Sequence, residues 1–589
     1  MGKLFTCILN HRLSKWAEDE QIFSQFQYGF RTGRSTVDCL FIITAALQKC
    51  FNNGDKLYCA FVDLKRAFDG TNRRAMWFKL EENNVSSKML KIIKALYNKM
   101  KMFVRVNNSE NQINSSDSSH QNRVDNFNGN IFANNQLSEN ESFFTTSSGV
   151  LQGESLSPFL FSMFINDIEK CVKNNDHEIG LEFENLLINL LLFADDMAIF
   201  SKSIKGLQKG LNNLETYCDE WGLTVNTTKT KCMVFKKGGK LNVRERWKYK
   251  GVDLETVSDF RYLGLVLGSS GSFAKSVSDL AIRGNRALFG LKRIFCKNSY
   301  LDIKLQLDLF NTLVEPVMSY SCEVWGLRES DQLEKIHLGF LKNILGVRKS
   351  TPSAFVYREL GLYPLILKRK IRVVKYWLKI LELNNDNPVR NIYDSLLLDL
   401  NANGNITNWT SLVRDLLFTN GFGYAWLNQS VPNANQFIQE FTLRIKCSFE
   451  QNVNMTIDNL STHRLYRNLD QNHSLKSYLL LLDKNKRIAL AKIRLGSHNF
   501  KIERGRWQKP KVDFNDRTCP SCDCIEDEYH ALVECPRFAD IRSSYLDKSL
   551  KKKPSMFKFV QLLDSTSKQK LEKNSQLILR ILNNYDSNI

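Results

Sequence analysis

The chain has 589 residues, with 82 Lys and Arg against 62 Asp and Glu and a formal net charge of +20. That length divides into several domains with cores of their own, and the charge suits a polyanionic partner. No uncharged run reaches the roughly 18 residues of a membrane span; the richest stretch, Leu186 to Phe200, contains Asn189, Asp195 and Asp196. The N-terminus turns polar too quickly for a secretory signal, and 14 cysteines lie irregularly spaced except for one cluster. Composition therefore predicts an intracellular protein with reduced thiols, and neither a membrane protein nor a secreted disulfide scaffold.

In chain order, Ile8, Leu9, Leu13 and Trp16 recur at helical spacing and predict a first helix packed through that face. Tyr58 to Val62 is an apolar, strand-like run that ends on Asp63. Residues 107–142 break the pattern: 11 of the 36 are Asn and apolar residues are sparse, so a disordered insertion is expected. Leu190 to Ala194 and Met197 to Phe200 flank Asp195 and Asp196, which predicts a tight β-hairpin with both acids at its turn. Ile204, Leu207, Leu211, Leu214, Tyr217 and Trp221 form a helical stripe that stops at Gly222. A second stripe, from Phe273 through Val277, Leu280, Gly284, Leu288 and Leu291 to Phe295, places Lys275, Arg286 and Arg293 on the opposite face. Helical patterning continues through Leu338–Leu345 and Leu367–Leu381. Stretches rich in Asn and Asp at 384–387 and 400–408 read as loops or linkers, and 410–510 reads as mainly helical without a motif.

Three carboxylates brought to the ends of such strands can hold two divalent ions, as in-line phosphoryl transfer requires. Oxygen-only ligands favour Mg²⁺ over Zn²⁺. A lone pair of acids at a turn is usually just polar turn chemistry, so the order of the surrounding blocks decides. Gln27-Tyr28-Gly29-Phe30-Arg31-Thr32-Gly33-Arg34-Ser35-Thr36 comes first, then the Asp63 block. Gly149-Val150-Leu151-Gln152-Gly153-Glu154-Ser155 and Phe193-Ala194-Asp195-Asp196 follow. Gly222 to Asn226 with Lys229-Thr230, and then Phe260-Arg261-Tyr262-Leu263-Gly264, close the series.

This series resembles the reverse transcriptase of non-LTR retrotransposons of the jockey or chicken-repeat type. The resemblance implies an α+β, right-hand polymerase fold. Incomplete fingers and a palm would occupy 1–267, a helical thumb 268–383, a mainly helical region 384–510, a small zinc knuckle 511–540 and a tail 541–589. It implies an RNA-directed DNA polymerase that extends a DNA primer on an RNA template with dNTPs, acting in the nucleus and using two Mg²⁺ ions at Asp63, Asp195 and Asp196. By the same resemblance Lys229 protonates the pyrophosphate, and Phe68 is a steric gate against the ribose 2′-hydroxyl. Gln152 and Gly153 lie against the nucleotide, Tyr262 and Gly264 belong to a primer grip, and Arg31 and Arg34 contact template phosphates or cap a helix. Asp69 is expected to be structural. Glu154-Ser155 departs from the Asp/Cys-Pro common in the family. Family members carry an endonuclease and a Tyr-Arg-Pro-Ile-Ser fingers segment upstream, so a 5′-truncated reading frame that polymerises poorly alone is expected. The alternatives are a degenerate or domesticated remnant that binds nucleic acid without polymerising, and a group II intron-like maturase.

Cys519-x2-Cys522-x7-His530-x4-Cys535 is a separate signal. Four soft ligands in a short Cys pair and a His/Cys pair suit a closed tetrahedral Zn²⁺ site, and the family has a similar C-terminal knuckle. Cys524 is a spare thiol beside it. Arg504, Arg506, Trp507, Lys509 and Lys511 precede the cluster, basic with one aromatic, which fits RNA or DNA contact.

Overall fold

The computed structural model describes residues 2–98, 146–173, 178–184, 186–297, 301–460, 462–546 and 548–587. The insertion expected at 107–142 lies outside them. In chain order the first part contains α1 (Gly2–Asp19), α2 (Thr36–Asn52), β1 (Leu57–Val62), α3 (Arg73–Glu82) and α4 (Ser87–Asn98). Next come α5 (Ser157–Phe164), α6 (Ile168–Lys173), β2 (Leu181–Phe183), β3 (Leu186–Ile188), β4 (Leu190–Phe193), β5 (Asp196–Ser201) and α7 (Ile204–Trp221). The strands β6 (Lys231–Phe235), β7 (Trp247–Tyr249), β8 (Val252–Val257), β9 (Asp259–Tyr262) and β10 (Leu265–Gly268) lead into α8 (Ala274–Lys297). Beyond α8 the described residues are helical apart from loops and the isolated bridge Thr518↔Ile525. The α+β expectation therefore describes a mixed sheet followed by helices.

Six strands form one sheet in the order β4-β5-β1-β6-β8-β7. At its centre β1 is antiparallel to both β5 and β6, while β6 and β8 are parallel. Every residue of β1 is buried, because helices cover both faces and alternate side chains enter different cores. Tyr58, Ala60 and Val62 pack with residues of α3, α5 and α7 on one face. Leu57, Cys59 and Phe61 join α2, α8 and the later helices on the other. This explains why β1 reads as an unbroken apolar run.

The stripe from Ile204 to Trp221 is α7, started by the Ser203 hydroxyl, which accepts from Gly206 N, and stopped at Gly222 in the left-handed region at φ +70°. The second stripe is α8. Gly284 on it is required by close approach, since a Cβ there would lie 2.4 Å from Met318 Cγ. On its basic face Arg286 and Arg293 are exposed, but Lys275 pairs with Asp259 and so ties α8 to β9. The first helix turns differently from its expected face: Leu9, Leu13 and Ala17 are buried, Trp16 is half-buried, and Ile8 is 46% exposed. The i, i+4, i+8 row is the one that meets the protein, and Ile8 is rotated about 100° from it.

The stretches 384–387 and 403–408 are loops, as expected, whereas 400–402 completes the helix Pro388–Ala402. The helices beyond α8 pack directly on α2. Asp38, buried in the first turn of α2, accepts from Tyr376 Oη at 2.9 Å and pairs with Lys379 at 3.2 Å. Ser395 Oγ lies 2.9 Å from Lys49 Nζ, and Trp409 N donates to Gln48 Oε1 at 2.9 Å.

Candidate active site and a candidate metal centre

Asp63 directly follows β1, Asp195 sits in the turn between β4 and β5, and Asp196 opens β5. The pairing of β1 with β5 ends at Val62↔Met197. One step further along that register, Asp63 and Asp196 stand across from each other at the same end of the sheet. The hairpin is tight, with Phe193 opposite Asp196 and only Ala194 and Asp195 between. Ala194 adopts φ +58°, a region that costs a residue with a Cβ. The chain at Gln27–Gly29 holds this turn from below. Tyr28 N donates to Leu192 O at 2.8 Å and Leu192 N to Phe26 O at 2.9 Å, while Gln27 Oε1 accepts from Gly29 N at 2.9 Å. Gly29 itself presses against the turn, since a Cβ there would lie 2.2 Å from Ala194 N. Sequence reading placed Gly29 within a motif block without a role. Close backbone approach is the role, and a glycine beside a buried amide residue was the available signal.

Like charges crowd here. Burial raises the Asp195 carboxyl above its ordinary range, a backbone hydrogen bond opposes that, and the charge of Asp63 adds to it. Asp196 stays solvent-accessible at its tip, yet surrounding protein and then the charges of Asp195 and Asp63 push it up to about 6. Lys229 stands nearby, its Nζ 3.9 Å from Asp63 Oδ2 and largely exposed. Asn226 N donates to Asp63 O at 2.7 Å and Asp63 N to Thr230 Oγ1 at 3.2 Å, so the Lys229 loop is laced to the end of β1. Accessible carboxylates, with neighbouring charges raising Asp195 and Asp196, fit a bound divalent cation, whose charge removes that repulsion.

Phe68 is half-buried and stacks on Phe161 at 4.7 Å between centroids. Val150 N donates to Phe68 O at 2.8 Å, joining this turn to the Gly149–Gly153 loop. Gln152 Nε2 donates to Asp69 Oδ1 at 3.1 Å, which gives Asp69 a positioning contact. Gly153 has φ +82° and open space where a Cβ would stand.

Three other candidates are placed away from open solvent. Tyr262 is buried against Phe61 at 5.1 Å, beside the stacked pair of Phe61 and Phe260 at 4.5 Å. Its side chain therefore secures the β9–β10 hairpin from within, and only backbone is offered at the Leu263-Gly264 turn. Tyr320 Oη donates to Leu263 O at 2.8 Å and Arg283 Nη2 to Gly264 O at 2.9 Å, contacts that sequence separation had hidden. Arg31 is turned inward onto Glu18 at 2.7 Å and Ser24 O at 2.7 Å. Arg34 binds Gln25 and lies 5.0 Å over the Tyr28 ring. Both guanidinium groups brace the segment leading into α2.

The cysteine and histidine cluster lies elsewhere. Ligand atoms of Cys519, Cys522, His530 and Cys535 all fall within 4.8 Å of one another. A tight turn presents the first two: Cys519 N donates to Cys524 O at 2.7 Å and Cys522 N to Cys519 O at 3.3 Å. His530 starts a π-helical turn, its N–H taken by Asp527 Oδ1 at 2.8 Å, and Cys535 N closes that turn onto His530 O at 2.8 Å. The Sγ of Cys535 stands 3.8 Å from that of Cys519 and 3.9 Å from that of Cys522. Such gaps are too wide for disulfides, but tetrahedral bonds of about 2.3 Å set sulfurs about 3.8 Å apart. The donor set and spacing fit Zn²⁺. Cys524 is exposed, with its Sγ 3.1 Å from His530 Nδ1.

Known proteins resemble the first part of the chain. Residues 1–267 match the family described as reverse transcriptase (RNA-dependent DNA polymerase). The chain is 24% identical over 346 residues to the probable RNA-directed DNA polymerase from transposon BS of Drosophila melanogaster, covering 57% of this chain and 34% of that protein. It is 19% identical over 353 residues to the RNA-directed DNA polymerase from mobile element jockey of the same fly, covering 57% and 33%. The chain thus spans about a third of the length of the curated relatives it matches. Among the described residues no helix is long and apolar enough to cross a membrane. Residues 1–267 form a reverse transcriptase domain, and the chain is related to the RNA-directed DNA polymerases of non-LTR retrotransposons.

Proposed function

We propose that this chain is an RNA-directed DNA polymerase that extends a DNA 3′-end on an RNA template. The observation that carries this reading is the meeting of Asp63, Asp195 and Asp196 at one end of the sheet inside a reverse transcriptase domain. These three carboxylates would hold divalent metal, Mg²⁺ by their all-oxygen chemistry, which when bound activates the primer hydroxyl and neutralises phosphate charge. Lys229, close to Asp63 and exposed, is placed to give a proton to the departing pyrophosphate. Gln152 and Gly153 bound the nucleotide pocket, and among the described residues a Cβ at Gly153 would meet nothing within 4 Å. Phe68, fixed by its stack on Phe161, sets the floor of that pocket and excludes the ribose 2′-hydroxyl. The Leu263-Gly264 turn positions the primer through its backbone. On this reading residues 1–267 are fingers and palm, 268–383 a thumb, and the Cys/His group a structural Zn²⁺ knuckle.

The test is extension of a primed RNA template by the intact chain and by Asp195→Asn, which keeps shape and removes charge. The expected loss is at least about 10²–10³-fold, with unchanged circular dichroism. Undiminished extension by the variant would remove the assignment. Phe68→Val is expected to raise incorporation of ribonucleotides relative to dNTPs, and an unchanged ratio would return Phe68 to a packing role.

A further inference from the structure

Beside the Cys/His group, and remote in sequence from the acidic site, lies a half-enclosed cavity of about 270 Å³. Phe514, 38% exposed, stands at its rim with the Arg464 guanidinium 4.7 Å over the ring. Apolar walls such as Ile502 and Phe559 lead to the buried carboxylates Glu503 and Glu528 and the half-buried Arg506 and His463. Glu503 pairs with Arg506 at 2.9 Å. Glu528 is gripped through one oxygen, Oε1, which accepts from His498 Nε2 at 2.8 Å.

His463 holds a left-handed backbone at φ +59°, which a β-carbon makes costly. Its ring fits only because Gly496 faces it: a Cβ there would come within 2.5 Å of His463 Cδ2. Burial and then the nearby Arg506 depress the imidazole to about 4, so the ring is neutral at neutral pH. Outside, Arg464, Arg504, Lys509 and Lys511 are exposed. Arg464 and Arg506 thus line the cavity, further exposed cations follow in sequence at 504–511, an aromatic ring stands at the rim, and carboxylates lie within.

We propose that this cavity takes one unpaired nucleobase of a single-stranded nucleic acid. A flat heterocycle fills the volume and stacks on Phe514, while the phosphates on either side remain with the exposed Arg and Lys. Carboxylates inside accept hydrogen bonds and offer none, so the preferred base presents adjacent N–H donors, as guanine does at N1 and N2. A phosphate in the cavity would meet those carboxylates and be repelled. The inference is independent of polymerase activity, and its readout is binding.

The experiment uses the full chain and fluorescent single strands of about twelve nucleotides, as RNA and as DNA, that differ in one central base. Strands with guanine are expected to bind about tenfold more tightly than those with adenine, with hypoxanthine between because it lacks the 2-amino donor. Phe514→Ala is expected to weaken single-strand binding about tenfold. Duplex binding and the salt slope should stay, since no phosphate contact is lost. Phe514→Leu, which keeps apolar volume without the π-face, should lose most of the same affinity. The stronger of the RNA and DNA series identifies the source of the base. Equal affinity for all three bases in both series, or single-strand binding unchanged in both Phe514 variants, would overturn the proposal.

Discussion

Asp63, Asp195 and Asp196 stand at strand ends of a six-stranded sheet whose central strand is buried on both faces, whereas Cys519, Cys522, His530 and Cys535 come from a turn and one π-helical turn. In the first region the backbone pairing of β1, β4 and β5 builds the scaffold without the carboxylate side chains. It can therefore keep like charges together, open to solvent, at a cost that a bound cation offsets. In the second region the sulfurs and imidazole are what close the local structure. Their spacing is that of a filled tetrahedron, and Cys519, His530 and Cys535 are buried. Open, repelling ligands on a rigid frame suit chemistry; closed ligands on short turns suit structure.

The largest difference between them should appear on removing ligands. Replacing Cys535 by Ser together with His530 by Ala should abolish zinc binding and unfold the segment around it. Structural Zn²⁺ contributes apparent binding energy of about 10 kcal/mol or more to such units. Zinc content by metal analysis and new protease cleavage within 511–540 would report this, while primer extension from the distant carboxylates should persist. Asp195→Asn should do the reverse: extension lost, zinc and fold retained. Zinc content unchanged in the double variant would break the comparison on its structural side.

Sequence reading recovered the acidic region because its signals are local. An apolar run ending in Asp63, and two acids between apolar runs, specify strands and a turn without reference to the rest of the chain. The stripe that became α7 was legible for the same reason, its cap and stop lying within one element. What was not legible depends on partners distant in sequence. Ile8 and Leu9 look equivalent in a helical pattern, and only the surface beneath α1 decides that Leu9 enters it. Tyr262 is expected in a primer grip, and its burial against Phe61, far earlier in the chain, is invisible in a local pattern. Arg31 reads as either a template-phosphate contact or a helix cap, and its pairing with Glu18 depends on a residue 13 positions away. Tyr320 lies 57 residues from the carbonyl it binds.

Gly29 sharpens the rigid side of the comparison with an intermediate effect. A methyl group there must displace Ala194 N, and with it the turn that carries Asp195. Overpacking of this kind costs about 1–3 kcal/mol, too little to unfold a chain of this size but enough to move a carboxylate. Gly29→Ala should lower primer extension about tenfold or more while the melting temperature falls by only a few degrees. Wild-type extension in this variant would show that the turn is held by its own strands and not from below.

The smallest effect is expected at Cys524, and it bears on whether the second region is as closed as its geometry implies. Its sulfur lies 3.1 Å from His530 Nδ1, near enough to compete for a metal, yet the side chain is exposed. Cys522, by contrast, stands 3.9 Å from Cys535 Sγ, at tetrahedral spacing. If the other four donors hold the ion, an exposed thiol beside them adds neither a ligand nor much packing, so Cys524→Ser should leave one Zn²⁺ per chain and change affinity only a few-fold. Cys522→Ser should lose most of the zinc, because a hydroxyl is a poor substitute for a thiolate at this ion. Metal analysis of both variants after dialysis against a moderate chelator separates the two. Retention of zinc by Cys522→Ser with loss in Cys524→Ser would exchange the two sulfurs as ligands, and would place one corner of the tetrahedron at the surface.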